Sequence, residues 1–514
     1  MKKLPIGIQT FLQIIEEDYC YVDKTEFIAD LIKSDKYYFL SRPRRFGKSL
    51  LVSTLKAAFS GQKKLFTGLY LEKNHDWSIQ YPVIHISLGR GVINQREILD
   101  MTIHSILREN ASDYGVTLAE TLPHLAFCEL IQKLAKKYGH RVVVLVDEYD
   151  KPILDNIDHP DIAIEMREGL KNFYTIIKDS DEYIKFAFLT GVSKFSKVNL
   201  FSGLNNLKDI TLDKRYATIC GYTEEDIKQV FFEYLDGVDF GMLREWYNGY
   251  NFLGEKVYNP YDILLYLDSG LFKNYWFETG SPAFLIKLIQ ERQYSVPRLD
   301  NIVASEVLLS SFDVNEMAIE TLLFQTGYLT IREVKQQGAR ILYRLTYPNL
   351  EVRMSLGESL LNHFTNFPIQ KEENLSAVYE ALEKADIDSL RSIFHAFFAS
   401  IPHDWYRKNR LAGYEGYYAS IFYCYFTALG LDVIAEDTTS HGRIDLTVRM
   451  GSRVYIIEFK VTGKKNDSPN ALKQIKEKVY HDKYRQKGID IYLIGVEFEK
   501  VERNIINFEW EKIV

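Results

Sequence analysis

Apolar and polar positions in the first part of the chain alternate as short apolar runs separated by helical patterns. The runs are bounded by turn-forming residues and occur at 37–40, 82–88, 142–146, 184–191 and 209–212. The third run contains five consecutive aliphatic residues, which is typical of a strand covered on both faces in a parallel sheet. Helical spacing follows the first run from Lys48, and a longer helical section covers about 93–137. Strands that alternate with helices in this order predict an α/β domain with a parallel sheet.

A period-two pattern replaces the helical one in the last third of the chain. Two strand-like runs, 442–450 and 453–461, flank the Gly-Ser pair at 451–452. A two-residue turn with glycine in its first position is typical of a type II′ hairpin. If this turn sets the register, Met450 faces Arg453 and the two runs pair as antiparallel strands.

The predicted hairpin register brings three charged residues onto one face. Counting outward from the turn places Asp445 opposite Glu458, and the two-residue period places Lys460 beside Glu458. Two facing carboxylates repel each other, so a divalent cation that prefers oxygen ligands, such as Mg²⁺, is the natural compensation. Lys460 could then position or activate a water molecule and stabilise a pentavalent phosphate. The alternative is a solvated face of mixed charge, and the apolar residues within 456–459 argue against it.

A candidate phosphate-binding loop joins the first predicted strand to the helix that follows it. Gly47-Lys48-Ser49 matches the end of a P-loop, in which a sharp turn into a helix aims backbone N–H groups at a phosphate. Lys48 would reach the β- and γ-phosphates of ATP, and the Ser49 hydroxyl would bind Mg²⁺. The full motif has another glycine five residues before Gly47, where this chain has Arg42, so a tight basic turn without nucleotide is the alternative. The candidate nucleotide-binding residues of the loop are Arg44, Arg45, Phe46, Gly47, Lys48, Ser49 and Leu50.

An acidic pair follows the third predicted strand, at the edge where open α/β sheets bind ligands. Asp147 would bind the Mg²⁺ held by Ser49, and Glu148 would orient or deprotonate the water that attacks ATP. The alternative is an aspartate that caps the next helix, but the buried strand before it favours the Walker B arrangement. Thr190 and Ser193 follow the fourth predicted strand and are placed to sense a γ-phosphate, although such residues are also common caps and turn formers.

Six segments together resemble one family, the AAA-ATPase-like proteins that carry a C-terminal PD-(D/E)XK nuclease domain. They lie at 21–25, 42–50, 145–152, 189–194, 221–225 and 246–250. The loop Arg-Pro-Arg-Arg-Phe-Gly-Lys-Ser resembles the family's own version of the P-loop, so the arginine in place of glycine need not mean an inactive site. Asp445 and the Glu458-x-Lys460 pattern resemble the nuclease signature. The resemblance covers nearly the whole chain and implies an ATPase domain followed by a nuclease.

The resemblance also implies further residues in the nuclease domain. Glu415 matches the family's helical acidic residue and could add a carboxylate to the metal, although a single helical glutamate often faces solvent. Gln474 and Tyr480 match a motif that lies near the scissile phosphate. Basic residues around this motif favour contact with DNA over a merely solvated helix face. They are Lys464, Lys465, Lys473, Lys476, Lys478, Lys483, Arg485 and Lys487.

The predicted fold class is α/β. It comprises a P-loop parallel-sheet ATPase domain of the AAA (ASCE) type with a small helical lid, followed by an α/β restriction-endonuclease-like domain. A strand pair at 324–331 and 340–345, joined by a turn at 336–338, indicates a winged-helix-like connecting unit, and the polar stretch 370–374 is the best linker candidate. The predicted domains are an ATPase core at 1–220, a lid at 221–270, a connecting helical or winged-helix-like region at 271–375 and a nuclease-like domain at 376–514.

Composition limits the cellular setting and the partners. The 514 residues carry a net charge of −7, so any surface for nucleic acid must be local. The four cysteines are scattered without a Cys-x-x-Cys pair, which predicts neither a zinc site nor a disulfide framework and favours a reducing cytoplasm. No apolar run approaches the roughly 18 to 20 residues that span a bilayer, and the N-terminus lacks a signal-peptide core, so no membrane partner is expected.

The sequence therefore predicts an enzyme with two modules, in which an ATP-binding domain controls a Mg²⁺-dependent nuclease that acts on nucleic acid, with DNA favoured. One alternative is a nucleotide-switched module that grips nucleic acid without cutting it. Another is an ATPase-only signalling machine in which the last domain is a scaffold. Hydrolysis as opposed to mere binding of ATP, and homo-oligomer formation, are left open. Arg215 is available as an arginine finger, although an ordinary surface arginine is the simpler interpretation.

Overall fold

The computed structural model describes residues 1–194, 206–277, 283–292, 294–310, 318–364, 368–400, 415–462, 470–499 and 504–513. The chain divides into two compact units, each assembled from two stretches of sequence. Unit 1 comprises Met1–Thr279 and Val303–Arg344, and unit 2 comprises Gly280–Ile302 and Leu345–Val514. The predicted connecting region at 271–375 contributes to both units, and the division into four domains stays a prediction.

The helices and strands alternate through the described residues. The α-helices are α1 Phe11–Glu16, α2 Thr25–Ser34, α3 Lys48–Phe59, α4 Tyr70–Asn74, α5 Arg96–Asp113, α6 Pro123–Tyr138, α7 Lys151–Leu154, α8 Pro160–Asp179, α9 Glu224–Val230, α10 Phe240–Tyr247, α11 Pro260–Ser269, α12 Ala283–Glu291, α13 Glu306–Ser310, α14 Ile319–Thr326, α15 Leu350–Phe364, α16 Pro368–Lys384, α17 Ile387–Ser400, α18 Glu415–Ala428 and α19 Ala471–Glu477. The strands are β1 Tyr37–Ser41, β2 Val83–Ser87, β3 Val142–Asp147, β4 Ile184–Gly191, β5 Lys208–Asp209, β6 Asn248–Tyr250, β7 Val257–Tyr258, β8 Ile302–Ser305, β9 Thr330–Gln337, β10 Arg340–Thr346, β11 Asp432–Thr439, β12 Gly442–Met450, β13 Arg453–Thr462, β14 Asp490–Glu499 and β15 Ile505–Ile513.

A five-stranded parallel sheet forms the core of unit 1, in the order β2-β3-β4-β1-β5. Strand β4 therefore lies between β1, which precedes the candidate phosphate loop, and β3, which precedes the acidic pair. Every residue of β3 is buried, as its aliphatic run predicts, because parallel sheets are covered by helices on both faces. The prediction of an α/β fold with a parallel sheet is confirmed.

Two predicted elements of unit 1 have different bounds in the structure. The helical section predicted over 93–137 forms two helices, α5 and α6, because the chain turns at Gly115 (φ 59°) and a new helix begins at Pro123. The fifth strand is limited to Lys208–Asp209 and does not reach residue 212. Residues predicted to extend it instead form a turn that supports the phosphate loop.

Small helices and a two-stranded ribbon follow the parallel sheet. Helix α9 begins with a capping box formed by Thr223 and Asp226, and apolar residues of α9, α10 and α11 pack together with Cys20 and Val22 from the N-terminal segment. The lid predicted over 221–270 therefore has the expected helices, and the N-terminal segment shares their core.

The strand pair predicted in the connecting region is present, but its first strand is shifted along the chain. Strands β9 and β10 are neighbours in a three-stranded sheet of order β8-β10-β9, and Gly338 (φ 60°) lies in the turn between them. The first strand begins at Thr330 and not at residue 324, because α14 extends to Thr326. Gly327 ends that helix in a left-handed conformation (φ 94°), which is a common helix stop.

Unit 2 is built on a five-stranded mixed sheet in which β11 to β15 follow one another in order. Neighbouring strands are antiparallel except β13 and β14, which are parallel. Met450 pairs with Arg453, so the predicted hairpin register is confirmed, and Gly451 has the positive φ (58°) that a type II′ turn requires. Helix α19 crosses β14 so closely that a Cβ on Gly495 would come within 2.4 Å of the Leu472 backbone nitrogen.

The polar stretch predicted as a linker is part of a packed helix. Residues 370–374 lie within α16, so the linker prediction is wrong. Lys371 is buried, and its ammonium contacts the Glu358 carboxylate at 2.9 Å. Polar residues in this stretch therefore serve helix packing, where the sequence pattern indicated a loop.

Cys20, Cys128, Cys220 and Cys424 are free thiols. Within the described ranges, no helix has the length together with the apolar character that crossing a bilayer demands.

Candidate active sites

The loop before α3 bends through two left-handed residues, Arg45 (φ 67°) and Gly47 (φ 88°). Gly47 is the N-cap of α3, and no side chain caps the first turn of this helix. The first N–H groups of a helix lack partners within the helix, and the helix dipole attracts negative charge to them. The start of α3 therefore presents backbone donors where the sequence predicts a phosphate.

Lys48 is buried beneath this loop. Its ammonium donates to the carbonyl oxygens of Arg42 (3.0 Å) and Pro43 (2.9 Å). Burial lowers the pKa of Lys48, and the carboxylates of Asp147 and Asp150 oppose that shift. The lysine thus supports its own loop, and a phosphate at the start of α3 would compete with these carbonyls for its donors.

Arg42 occupies the position where the full P-loop motif has glycine, and its side chain is only 1% exposed. The guanidinium donates to the carbonyl oxygens of Thr211 (2.8 Å) and Tyr216 (3.0 Å) and lies 3.8 Å from the centroid of the Phe252 ring. Burial lowers the pKa of Arg42 to about 10. The arginine therefore anchors the loop to the residues after β5, and its side chain does not line the cavity in front of Lys48.

A cavity of about 480 Å³ opens in front of the loop, which is a size typical of small-molecule sites. Residues 44–50 and Glu148 line it, as do side chains that the sequence analysis did not assign to a nucleotide site. These come from the N-terminal segment and the lid and include Ile8, Tyr21, Lys24, Tyr222, Tyr261 and Leu264. The motifs at 21–25 and 221–225 were sequence signals that could have indicated some of them.

Two polar contacts connect the walls of this cavity. The Arg45 guanidinium lies 4.8 Å from the centroid of the Tyr261 ring, which is cation–π geometry. The Lys24 ammonium contacts the Asp226 carboxylate at 2.6 Å. The N-terminal segment, the loop and the lid therefore enclose one site.

The acidic pair lies at the carboxyl end of β3. Asp147 is buried and accepts a hydrogen bond from the Glu148 backbone N–H at 2.9 Å. Glu148 has a left-handed backbone (φ 53°), and its carboxylate lies against Gly89, where a Cβ would come within 2.3 Å of Oε2. Burial raises the pKa of Glu148, and the neighbouring Asp147 raises it further. Glu148 and Ser49 both line the cavity, whereas Asp147 lies behind it.

The two residues predicted to sense a γ-phosphate make internal hydrogen bonds. The Thr190 hydroxyl donates to the Leu40 carbonyl oxygen (2.8 Å), and the Ser193 hydroxyl donates to the Asp150 carboxylate (2.6 Å). Asp150 also accepts the backbone N–H groups of Val192 and Ser193 and was not singled out from the sequence. Neither hydroxyl lines the cavity, so γ-phosphate sensing by these residues stays a prediction.

The predicted charged face in unit 2 is formed by β12 and β13. The Asp445 carboxylate accepts the Phe459 backbone N–H (2.8 Å), and the Asp445 N–H lies 3.5 Å from Glu458 Oε2. Glu458 is 2% exposed, and the Lys460 ammonium is 3.6 Å from its Oε1. The structure therefore brings Asp445, Glu458 and Lys460 together, as the hairpin register indicates.

The side chains on this face fit a hard divalent cation. Burial raises the pKa of both Asp445 and Glu458, and the Asp445 charge raises that of Glu458 further. A cation between them would relieve the repulsion and desolvation that cause these shifts. No group of three or more histidine, cysteine, aspartate or glutamate residues suited to a metal occurs in the described part of the chain.

Of the implied nuclease residues, Gln474 is in direct contact with the charged face. Its Nε2 donates to Glu458 Oε1, and it is held there by α19. The Tyr480 hydroxyl donates to the Arg443 carbonyl oxygen at 3.0 Å, two residues from Asp445. Glu415 is the first residue of α18, and its side chain lies outside the described part of the structure, so its role stays a prediction.

Of the six basic residues near this site that the structure describes, four are paired with acidic side chains. Lys473 contacts Glu477 (3.7 Å) and Arg485 contacts Asp482 (3.7 Å). Lys464 and Lys465 lie outside the described residues. In unit 1, Arg215 is exposed and bonds Asp213 (2.5 Å), which suits the simpler interpretation of an ordinary surface arginine. Near the nuclease face of unit 2, Lys476 contacts Glu511 and Lys483 contacts Asp437.

Comparison with known proteins matches both ends of the chain to family models. Residues 5–201 match the model described as "Predicted AAA-ATPase", and residues 413–508 match the PD-(D/E)XK nuclease superfamily. An uncharacterised protein in the vnfD 5′ region of Azotobacter chroococcum mcd 1 is 52% identical over 513 residues, which is 100% of this chain and 99% of the relative. No solved structure matches. The chain therefore belongs to the AAA-ATPase-like family whose members carry a C-terminal domain of the PD-(D/E)XK nuclease superfamily.

Proposed function

We propose that this protein binds and hydrolyses ATP in unit 1 and uses the nucleotide state to control a Mg²⁺-dependent nuclease in unit 2, with DNA as the favoured substrate. The observation that carries the proposal is the pair of Asp445, which is half-buried, and Glu458, which is buried, beside the Lys460 ammonium. Two adjacent carboxylates with raised pKa values and a neighbouring ammonium suit metal-assisted hydrolysis of a phosphodiester.

Each residue of the nuclease face has a distinct task in this proposal. Asp445 and Glu458 hold the metal, which supplies Lewis-acid chemistry at the phosphate when bound. Gln474 fixes the orientation of Glu458 through its hydrogen bond to Oε1. Lys460 orients the attacking water and offsets negative charge that develops on the phosphate oxygens.

The nucleotide site is proposed from the loop and the acidic pair. Lys48 and the first N–H groups of α3 bind the phosphates, and Ser49 and Asp147 hold the metal that accompanies them. Glu148 lines the cavity and is the candidate for orienting the attacking water. Burial and the neighbouring Asp147 raise the pKa of Glu148, which makes it a stronger base than an exposed glutamate.

Cleavage of single- and double-stranded DNA and RNA, with Mg²⁺ or with a chelator, tests the nuclease half. Asp445→Asn is expected to lower the cleavage rate about a hundredfold or more, because the metal loses a ligand. Asp432→Asn is the matched control, since Asp432 lies on the same sheet in an exposed ion pair with Arg449. If wild-type protein binds nucleic acid but never cuts it under any nucleotide condition, the non-cleaving binding module replaces the proposal.

ATP turnover measured on the same preparations tests the nucleotide half. Lys48→Met is expected to abolish turnover and to change nuclease activity, whereas Lys56→Met, at an exposed site on the same helix, serves as the control. Glu148→Gln is expected to retain ATP binding and to lose turnover. Nuclease activity unaffected by Lys48→Met would exclude control by nucleotide. Biological function lost with Lys48→Met but kept with Asp445→Asn would favour the ATPase-only machine.

A further inference from the structure

A second buried carboxylate, Asp437, lies beside the nuclease face and is used by neither proposed site. Asp437 is 3% exposed, and its carboxylate accepts hydrogen bonds from the Thr447 hydroxyl (3.0 Å), the Tyr484 hydroxyl and the Lys483 ammonium. The Lys483 ammonium also donates to the Thr438 carbonyl oxygen at 3.1 Å. A buried carboxylate that accepts hydrogen bonds from several donors holds those donors in fixed positions.

The sheet geometry places this cluster next to the candidate metal ligands. Thr447 is two residues from Asp445 on β12, so both side chains lie on the same face, roughly 7 Å apart along the strand. Glu436 has a left-handed backbone (φ 49°), an irregularity next to Asp437 in β11. The 3₁₀ turn Tyr480–Tyr484 then adjoins the same strands, through Lys483 and Tyr484 at one end and the Tyr480 hydroxyl at the other.

Lys483 differs from the other basic residues of this region in the burial of its partner. The acidic partners of Lys473, Lys476 and Arg485 have side chains that are 66%, 44% and 54% exposed, respectively. The side chain of Asp437 is 3% exposed and that of Lys483 is 38% exposed, so a solvent-facing ammonium is tied to a fixed interior anchor. An ammonium has three donors, and Asp437 and Thr438 account for two of them.

We propose that Asp437 is a positioning residue that holds Lys483 at the rim of the nuclease face, where its remaining donor binds a backbone phosphate of the nucleic acid next to the one being cut. The inference rests on the proposed nuclease function and identifies Lys483 as a group that positions the nucleic-acid strand. A fixed ammonium loses less conformational entropy on binding than a mobile surface lysine, so this contact sets position as well as affinity. Phosphate contacts of this kind fix register without selecting base sequence.

Binding to a short DNA duplex at several salt concentrations tests the contact, with every variant placed in the Asp445→Asn background to prevent cutting. Lys483→Met is expected to weaken binding about tenfold and to reduce the slope of log affinity against log salt by about 0.9. Lys512→Met is the matched control, because Lys512 forms an exposed ion pair with Asp490 on the same sheet. A slope equal to that of the control would overturn the inference.

Cleavage kinetics on the duplex separate positioning from charge. Asp437→Asn keeps the Lys483 charge but loosens its anchor, so kcat/KM is expected to fall about tenfold while the salt slope stays as in wild type. Tyr484→Phe leaves the Lys483–Asp437 pair in place and is expected to retain the slope and most of kcat/KM. A loss with Tyr484→Phe equal to that with Lys483→Met would attribute the effect to folding and overturn the inference.

The two proposals fail in different ways. If the wild-type protein binds DNA without cutting it and Lys483→Met still lowers the salt slope, the nuclease proposal fails and the phosphate contact stands. If the wild-type protein cuts DNA but Lys483→Met leaves affinity and slope unchanged, only the role of Asp437 and Lys483 is refuted.

Discussion

The candidate phosphate loop of unit 1 and the charged hairpin of unit 2 are built by different means. The loop combines backbone N–H groups at the start of α3 with the Lys48 ammonium, so its other side chains can support the loop without contacting a phosphate. The hairpin relies on side chains, because Asp445 and Glu458 meet only in the observed strand register. A one-residue slip would move every side chain of one strand to the opposite face.

Because of this difference, we expect the sequence of the loop to be able to differ from its usual motif more than the sequence of the hairpin can. Arg42 stands where the P-loop motif has glycine, yet its side chain points into the protein and contributes three hydrogen bonds to backbone carbonyls. In the hairpin there is no such freedom, because the carboxylates themselves are the proposed metal ligands. A site that binds through backbone N–H groups can therefore keep its function when one of its side chains changes. A site that binds through side chains requires both the residue type and the strand register.

Arg42→Gly, which restores the general motif, is expected to cause the largest loss. The carbonyl oxygens of Thr211 and Tyr216 would lose a charged donor, and the space under Phe252 would be left empty. Unit 1 should be destabilised by about 3 kcal/mol or more, seen as a lower thermal midpoint and a weaker shift on adding ATP.

Arg42→Lys serves as the comparison, because it keeps the charge but not the forked donors, and should fall between the glycine variant and wild type. If the glycine variant has the same thermal midpoint as wild type and binds ATP more tightly, Arg42 does not stabilise the loop and instead weakens ATP binding.

Gly495→Ala tests how precisely the side-chain site must be supported. The new Cβ would lie within 2.4 Å of the Leu472 backbone nitrogen, so α19 must move and carry Gln474 away from Glu458. We expect a cost of about 1–3 kcal/mol in unit 2, together with loss of cleavage.

The control for this prediction is Gly451→Ala in the hairpin turn. No atom lies within 4 Å of the new Cβ there, so the positive φ (58°) should cost only about 1 kcal/mol and cleavage should persist. Equal effects on cleavage by both variants would show that the α19 contact has no special part in the site.

Local sequence patterns predicted the features that depend on neighbours along the chain. The aliphatic run of β3 indicated a buried parallel strand, and the Gly-Ser turn gave the Met450–Arg453 pairing from which the opposition of Asp445 and Glu458 follows. These inferences succeeded because strand burial and hairpin register are decided within a few residues.

Contacts between distant segments could not be obtained in this way. Lys24 forms an ion pair with Asp226 beside the candidate nucleotide cavity, and Lys483 forms one with Asp437. No local sequence pattern predicts either pair. Residues 370–374 were predicted as a linker because they are polar, although Lys371 is buried and forms an ion pair with the partly exposed Glu358. Hydropathy alone does not distinguish a solvated charge from a paired one.

Thr190→Val is expected to have the smallest effect. It tests whether the Thr190 hydroxyl, near the phosphate loop, contributes to ATP turnover. The substitution removes the hydrogen bond from the Thr190 hydroxyl to the Leu40 carbonyl oxygen with little change in volume. Since the threonine is buried between β4 and β1, we expect a loss of about 1–2 kcal/mol in stability and little change in ATP turnover per folded molecule.

Ser193→Ala should behave in the same way, because Asp150 keeps the backbone N–H groups of Val192 and Ser193 as donors. Thermal melting and steady-state ATP hydrolysis, measured side by side, distinguish the two roles of these hydroxyls. If either variant melts like wild type but loses turnover while still binding ATP, the hydroxyl leaves its internal partner to contact the γ-phosphate. In that case the nucleotide site would depend on side-chain placement in the same way as the nuclease face.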